Sequence, residues 1–324
     1  MNTPFPIAVV GAGISGLACA RALHSAGWPV TLFDKSRGPG GRMSTRRGEG
    51  WQCDHGARHF TADSARFRAE VEHWQAAGVA ARWQPRILGD DPDASHPRFV
   101  GTPRMTSPAR HLADGLDLRL AFTLRHLAHD ADGWQLSSLE HGPLPARFAG
   151  LILAVPAPQA VPLLAEVAPA EAGLARQVAM APCWTLMLRY EHALELPFDV
   201  ARPAAGPLAW VAREASKPGR PKAGTWLLQA TAEWSAAHLE DAPDDVAAAL
   251  VAAFRALGAP APAAWSAHRW RYADTRSATA GACIWSAERR LGLCGDWLNG
   301  GGVEGAWLSG MALADAILGR KAGA

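Results

Sequence analysis

Short uninterrupted apolar runs followed by glycine clusters stand at both ends of the chain, and such runs have the length of buried parallel strands. Ile7-Ala8-Val9-Val10 is the first, and Gly11-Ala12-Gly13-Ile14-Ser15-Gly16 follows it at once. Leu17 to Ala26 reads as an alanine-rich helix, Gly27 as its stop and Val30-Thr31-Leu32-Phe33 as a second strand. Near the other end, Leu291-Gly292-Leu293-Cys294 reads as a strand ending in Gly295-Asp296, and Gly300-Gly301-Gly302-Val303-Glu304-Gly305-Ala306 opens a helix to about Leu318.

Between these ends the period is mixed. Leu118 to Leu124 and Gly133 to Leu136 suggest a β-meander, and Leu151 to Pro156 a further buried strand closed by a proline turn. Strands are expected around Trp184 to Tyr190, Leu208 to Val211, Thr225 to Ala230 and His268 to Tyr272, with a helix near Asp244 to Leu257. Pro92 to Pro97, Pro203 to Pro207 and Pro218 to Pro221 read as loops. No internal repeat is evident.

The first βαβ unit carries a nucleotide-binding fingerprint. Gly11 permits the tight turn, Gly13 lets a pyrophosphate approach the backbone, and Gly16 lets the helix pack closely on the strand. The helix N-terminus offers N–H donors and a positive dipole end to that phosphate. Asp34 follows the second strand 18 residues beyond the last glycine, near the roughly 20 expected of a carboxylate that accepts the adenosine ribose hydroxyls. This motif alone does not separate NAD from FAD.

The expected fold is therefore α/β, a discontinuous Rossmann-like nucleotide-binding domain with a second domain on a mainly antiparallel sheet plus helices. The first is assigned residues 1–61, 102–158 and 277–324, and the second 62–101 and 159–276. A chain of 324 residues with 49% hydrophobic and 19% charged positions is large enough for both. A net charge of +2 with scattered basic residues argues against nucleic-acid binding. Five dispersed cysteines without a CxxC pair argue against a disulfide framework or a zinc site and fit a reducing cytoplasm. The apolar stretch Ile7 to Leu23 is broken by glycines and lacks a basic leader, so it does not read as an export signal, and no membrane span is expected.

The loop after Asp34 narrows the cofactor. Lys35-Ser36-Arg37-Gly38-Pro39-Gly40-Gly41-Arg42-Met43-Ser44-Thr45 resembles the extension that follows the ribose-binding acid in the flavin amine oxidase superfamily. The resemblance implies that Gly41 and Arg42 lie along the pyrophosphate and ribityl chain of FAD, with Lys35, Ser36, Arg37 and Met43 in the same segment. Gly295-Asp296 and the helix opening at Gly302, Val303, Glu304 and Ala306 resemble the C-terminal flavin motif of that superfamily. There the aspartate bonds the ribityl chain and the helix N-terminus faces the pyrimidine end of the ring, where its dipole favours the negative charge of reduced flavin. Leu124, Ala154 and Pro156 match positions near adenine and pyrophosphate. FAD is expected to be non-covalent, since Cys294 would pack inside its strand.

Asp54-His55-Gly56-Ala57-Arg58-His59-Phe60-Thr61, Trp210 to Arg220 and His268 to Ala273 together resemble the renalase-like flavoproteins over nearly the whole chain. The resemblance implies oxidation of misplaced dihydro isomers of NAD(P)H, with electrons passed to molecular oxygen to give hydrogen peroxide. It also implies flavin contacts at His59 and Phe60. Arg58-His59 departs from the Gln-Tyr or Gln-Phe type of pair common in relatives. Losing hydride alone makes a dihydropyridine aromatic, so no protein base is needed and the flavin carries the hard step.

Phe60, Lys217, Trp270 and His268 are the active-site candidates, and Arg58, Arg104, Arg213, Lys217 and Arg220 the candidates for a dinucleotide's phosphates. His55 and His59 could tune the flavin or contact substrate, although a backbone-satisfied histidine is the commoner role. Oxidation of primary or secondary amines is a rival activity. It usually holds the amine between aromatic faces, for which Trp184, Trp234, Trp270 and Trp297 are available, though each is more often core. Lys217 could take the flavin-neighbouring role of amine oxidases or be an exposed loop lysine. A third possibility is a non-catalytic FAD-binding protein.

Overall fold

A computed structural model describes residues 4–91, 94–276 and 281–320. Pro92, the start of one expected loop, and residue 277, an expected domain boundary, lie outside them. The chain divides into two compact units: residues 1–41, 109–180 and 275–324, and residues 42–108 and 181–274. Residues 42–61 and 102–108 thus group with the second unit, and 159–180 with the first. The reason is local bonding: Phe60 pairs with Phe99, and the Ala57 N–H bonds the Arg42 carbonyl.

The first unit is built on a six-stranded sheet. Its order is Ile284–Ser286, Leu291–Leu293, Gly150–Leu153, Ile7–Val10, Val30–Phe33, Asp117–Arg119. All neighbours run parallel except the edge strand Ile284–Ser286. The central strands are buried on both faces, which is why they read as solid apolar runs rather than alternating ones. Helix Ile14–Ser25 begins directly on the glycine loop, three residues before the sequence put it, and helix Gly302–Leu318 ends at Gly319 in the left-handed conformation.

The expected strand from Leu118 to Leu124 does not exist as one element. Ala121 has φ +52°, which breaks the extended backbone. Asp117–Arg119 then pairs parallel with Thr31–Phe33, whereas Leu124–Asp130 joins Gly133–Ser138 and Gly142–Phe148 in a separate antiparallel sheet. Phe33, Leu127, Trp134, Phe148, Leu153 and Trp297 are among the residues of the core that this arrangement encloses.

The second unit carries a six-stranded sheet ordered Ala264–Thr275, Met180–Tyr190, Gly224–Ala230, Leu208–Arg213, Val200–Ala201, Ile87–Leu88. Three of its pairings are antiparallel and the last is parallel. Alternation along the strands sorts the side chains. Trp184, Leu186, Leu188, Trp226, Leu228 and Val211 pack with the amphipathic helix Pro243–Arg255 in one core. Thr185, Gln229 and Trp210 are register partners in a row across three strands and belong to the other face. None of the helices among the described residues is long and apolar enough to cross a membrane.

Candidate functional site

In the first unit the glycine loop is shaped by steric necessity. Gly11 has φ +106°, and a Cβ there would collide with the Ala154 carbonyl. A Cβ on Gly16 would overlap the Gly11 carbonyl oxygen, so helix and turn can meet only through glycine. Gly13 is different, because open space lies beyond it. It caps helix Ile14–Ser25 without a side-chain hydrogen bond, and no acidic residue stands in the first turn. Ala12, Ile14 and Ser15 are buried around it.

Asp34 ties this loop to the next one. Its Oδ2 accepts from the Ala12 N–H at 2.7 Å and its Oδ1 from the Ser36 N–H at 2.7 Å. The Gly40 N–H donates to the Ala12 carbonyl at 2.8 Å, and Gly41, at φ +51°, lies against Gly13. Lys35, Ser36 and Arg37 are exposed.

The C-terminal motif enters the same unit. Gly310 meets the backbone of Ser15 and Cys19 so closely that a Cβ would overlap the Ser15 carbonyl oxygen, which locks the two helices together. The Gly295 N–H donates to Ser309 Oγ at 3.0 Å. Buried Asp296 accepts from Thr275 Oγ1 at 3.0 Å, and its carbonyl accepts from the Asn299 and Gly301 N–H groups. Gly300, Gly301 and Gly302 all have positive φ, a run that side-chain-bearing residues adopt only with strain. They deliver the uncapped N-terminus of helix Gly302–Leu318, with Val303 and Glu304 half-buried and Ala306 buried in its first turns.

Around this loop, the Ala154 N–H donates to the Val10 carbonyl and Pro156 caps the helix Ala157–Leu164, whereas Leu124 packs against the core. Trp297, a pocket candidate from sequence, is instead fully buried and donates to the Val155 carbonyl at 3.1 Å.

These residues fit a dinucleotide. Open space at Gly13, two uncapped helix N-termini and two buried carboxylates supply N–H donors for a pyrophosphate and acceptors for sugar hydroxyls.

The second unit holds a buried ionic cluster that sequence spacing did not reveal. Lys217 Nζ lies 3.1 Å from Asp54 Oδ2 and 2.6 Å from Glu214 Oε1, and Arg220 forks onto Asp54 at 2.6 and 3.2 Å. The Thr45 hydroxyl and the Met105 N–H also donate to Asp54, and the Asp54 N–H donates to Glu214. Burial pushes the Asp54 carboxyl up, but Lys217 and then Arg220 outweigh it and hold it below the usual range. Burial, reinforced by Asp54, raises Glu214. Burial works against the Lys217 ammonium, yet the two carboxylates keep its pKa above normal.

Lys217 is therefore neither an exposed loop lysine nor a phosphate reader, and Arg220 is likewise committed to Asp54. Glu214 stands three residues before Lys217, a helical-turn spacing that could have signalled half of this cluster; Asp54 gave no such signal. Of the other phosphate candidates, Arg213 pairs with Asp199 and Arg104 bonds Gln52.

A second group surrounds the Asp54 to Phe60 segment. His55 and His268 lie edge to face at 5.0 Å, both beside Trp270, whose indole donates to the His55 carbonyl at 2.8 Å. Burial, with His268 and Arg46 adding, lowers the His55 pKa to about 4; burial and Arg46 lower His268 to about 4. Arg42 donates to the Ala273 carbonyl at 3.2 Å, and Met43 is buried.

His59 sits between Trp83 and Trp210. Phe60, an active-site candidate from sequence, is buried among Phe67, Trp74 and Phe99. Trp184 is likewise core, donating to the His238 carbonyl, and Trp234 stacks on His238. A cleft of about 470 Å³ in this unit, lined by Glu49, Trp51, Arg189, Tyr190 and Lys222 among others, contains none of the sequence candidates. Among the described residues no cluster of His, Cys, Asp and Glu could hold a metal ion. All five cysteines are thiols.

Comparison with known proteins gives the class. Residues 9–74 match the NAD(P)-binding Rossmann-like domain, and residues 86–318 match the flavin containing amine oxidoreductases. The second match spans well over half of the chain: this protein belongs to the flavin containing amine oxidoreductase family. It is a flavin-dependent oxidoreductase with FAD as its cofactor.

An L-amino-acid oxidase of Siganus canaliculatus is 36% identical over 92 residues, 28% of this chain and 16% of the relative. A 4,4'-diapophytoene desaturase of Staphylococcus haemolyticus is 50% identical over 50 residues, 15% of this chain and 10% of the relative. The chain thus matches only short parts of these curated relatives. Among solved structures, putrescine oxidase bound to putrescine has a TM-score of 0.74 at 15% identity, covering 98% of this chain and 100% of that one. Cyclohexylamine oxidase from Brevibacterium oxydans has a TM-score of 0.72 at 14% identity, covering 98% and 99%. At these identities the likeness is one of fold.

Proposed function

We propose that this protein is an oxidase of dihydronicotinamide dinucleotides, the misplaced isomers of NAD(P)H, and that it returns them to the aromatic oxidised nucleotide. Bound FAD would supply the hydride acceptor and the relay of electrons to oxygen, the overall balance being dihydro-NAD(P), oxygen and a proton to NAD(P)⁺ and hydrogen peroxide. The observation that carries this reading is the commitment of Lys217. Tied to Asp54 and Glu214, it is a charged strut rather than a base, and aromatisation of a dihydropyridine by hydride loss requires none.

The chain's own residues bind and orient. Gly13 and the N-terminus of helix Ile14–Ser25 are assigned to the FAD pyrophosphate, Asp34 to the adenosine ribose, and Gly41 to the segment beside them. Asp296 is assigned to the ribityl chain, and the N-terminus of helix Gly302–Leu318 to the pyrimidine end of the ring, where its dipole stabilises negative charge.

A second reading, oxidation of an amine, draws on the family match and on the L-amino-acid oxidase likeness. An anaerobic titration separates the two. The flavin spectrum bleaches rapidly with 2- or 6-dihydro-NAD(P) under the first reading. Bleaching by amines alone would install the second in its place.

A further inference from the structure

Two cysteines with no part in the nucleotide site meet at the edge of the first unit's sheet. The antiparallel edge pair sets Ile284 opposite Leu293, Trp285 opposite Gly292 and Ser286 opposite Leu291. One step further along the same register sets Cys283 opposite Cys294. Backbone bonding fixes what kind of position this is. The Cys294 N–H donates to the Leu153 carbonyl at 3.2 Å, and the Leu151 N–H donates to the Arg290 carbonyl at 2.9 Å. Even-numbered positions thus turn their backbone toward strand Gly150–Leu153, which leaves Leu291 and Leu293 to bond the edge strand. Position 294 is therefore non-hydrogen-bonded on the edge side. Opposed residues of that kind have Cα atoms about 4.5 Å apart, inside the roughly 4.4–6.8 Å that a disulfide spans.

Both thiols stand on one face. Side chains alternate along a strand, so Cys294 shares the face of Gly292, where a Cβ would touch Leu313 of helix Gly302–Leu318. Cys283, two residues from the Trp285 that opposes Gly292, shares it too. Cys294 is fully buried and Cys283 half-buried, so an oxidant reaches Cys283 first. Burial pushes the Cys294 thiol up to about 12, with Ser15 opposing the shift and Cys283 adding to it. Burial, then Asp315, raises Cys283. Protonated thiols react slowly, which protects the pair from brief exposure.

We infer that Cys283 and Cys294 form a redox pair, a modification site at which hydrogen peroxide closes a disulfide beside Gly295-Asp296. The Cys283 sulfur attacks one peroxide oxygen. The O–O bond breaks, the sulfur is oxidised to a sulfenic acid, and water leaves with the thiol proton. The Cys294 sulfur then attacks the Cys283 sulfur, the S–O bond breaks, and a second water leaves with the Cys294 proton. Two thiols lose two electrons and two protons, and one peroxide becomes two waters. The bond ties the strand that leads into Asp296 to the edge strand beside it. Peroxide as a product of turnover rests on the oxidase reading above; closure by peroxide from any source does not.

The test treats the holoenzyme with excess hydrogen peroxide, unfolds it, blocks it with N-ethylmaleimide and maps it by mass spectrometry. The oxidised protein carries two maleimides fewer than the five of a dithiothreitol-reduced control. A linked Cys283–Cys294 peptide appears, and dithiothreitol removes it. Because Cys294→Ser puts a hydroxyl into the core, Cys283→Ser at the half-buried position is the variant of choice, and it keeps all its remaining thiols. Cys19 of helix Ile14–Ser25 is the rival partner, since both thiols act on it electrostatically. Five blocked thiols after peroxide, a link from Cys283 to Cys19 instead, or a sulfinic acid at Cys283 without any link overturns the inference.

The same mapping after turnover with 6-dihydro-NAD, with and without catalase, separates the pair from the oxidase reading. A link that forms with added peroxide but not during turnover supports the pair and counts against that reading alone.

Discussion

The two units solve the problem of holding polar groups inside a protein in opposite ways. The first uses backbone: glycines at Gly11, Gly16 and Gly310 bring main chains together, and N–H groups carry the polar work. The second uses side chains, with Asp54 and the Glu214, Lys217 and Arg220 of a distant segment buried in one cluster. Backbone solutions are local and steric, so each residue has a reason that can be stated within a few positions. Side-chain solutions depend on who meets whom after folding.

The comparison is broken most severely at Lys217. Lys217→Met leaves buried Glu214 without its cation and Asp54 with Arg220 alone, and a loss of about 3–5 kcal/mol is expected in urea unfolding. A loss under about 1 kcal/mol would mean that the cluster is solvated and that the contrast between the units is false. Asp34→Ala tests the backbone solution. It strips acceptors from the Ala12 and Ser36 N–H groups as well as from the ribose, so the FAD dissociation constant should rise roughly ten- to a hundredfold in an equilibrium dialysis measurement. Unchanged FAD retention would remove Asp34 from the cofactor site.

The smallest effect is one of pH. His55 and His268 bind protons in the folded protein only near pH 4, whereas the unfolded chain takes them up near the ordinary histidine value of 6.5. Between those values the unfolded state binds more protons, so stability is greatest above that window and falls as pH drops through it. Ser44, Arg46, Asp54 and Trp270 surround the pair, and Arg46 keeps both imidazoles neutral along with burial. His268→Leu should flatten the dependence of melting temperature on pH between 6.5 and 4 by a few degrees. An unaltered slope would place the acid sensitivity elsewhere.

Legibility followed the same divide. The strand, glycine loop, helix and Asp34 were readable because each constraint acts within the βαβ unit itself. The expected strand through Ala121 failed because a positive φ at an alanine has no signature in the sequence. Lys217 looked like a loop lysine because its flanking Pro218 and Gly219 are loop residues, and the loop does lie there; its side chain is buried by Asp54, more than 160 positions away. Trp297 looked like a pocket wall because it adjoins Asp296, yet consecutive residues point apart and the indole turns into the core.

The contact of Gly310 with Ser15 also sets a clock. A ribosome adding about 5–20 residues per second exposes the fingerprint early and then needs on the order of fifteen to sixty seconds to supply the partner helix. Throughout that interval the nascent fingerprint helix lacks the face that completes it, and chaperones have a defined segment to shield.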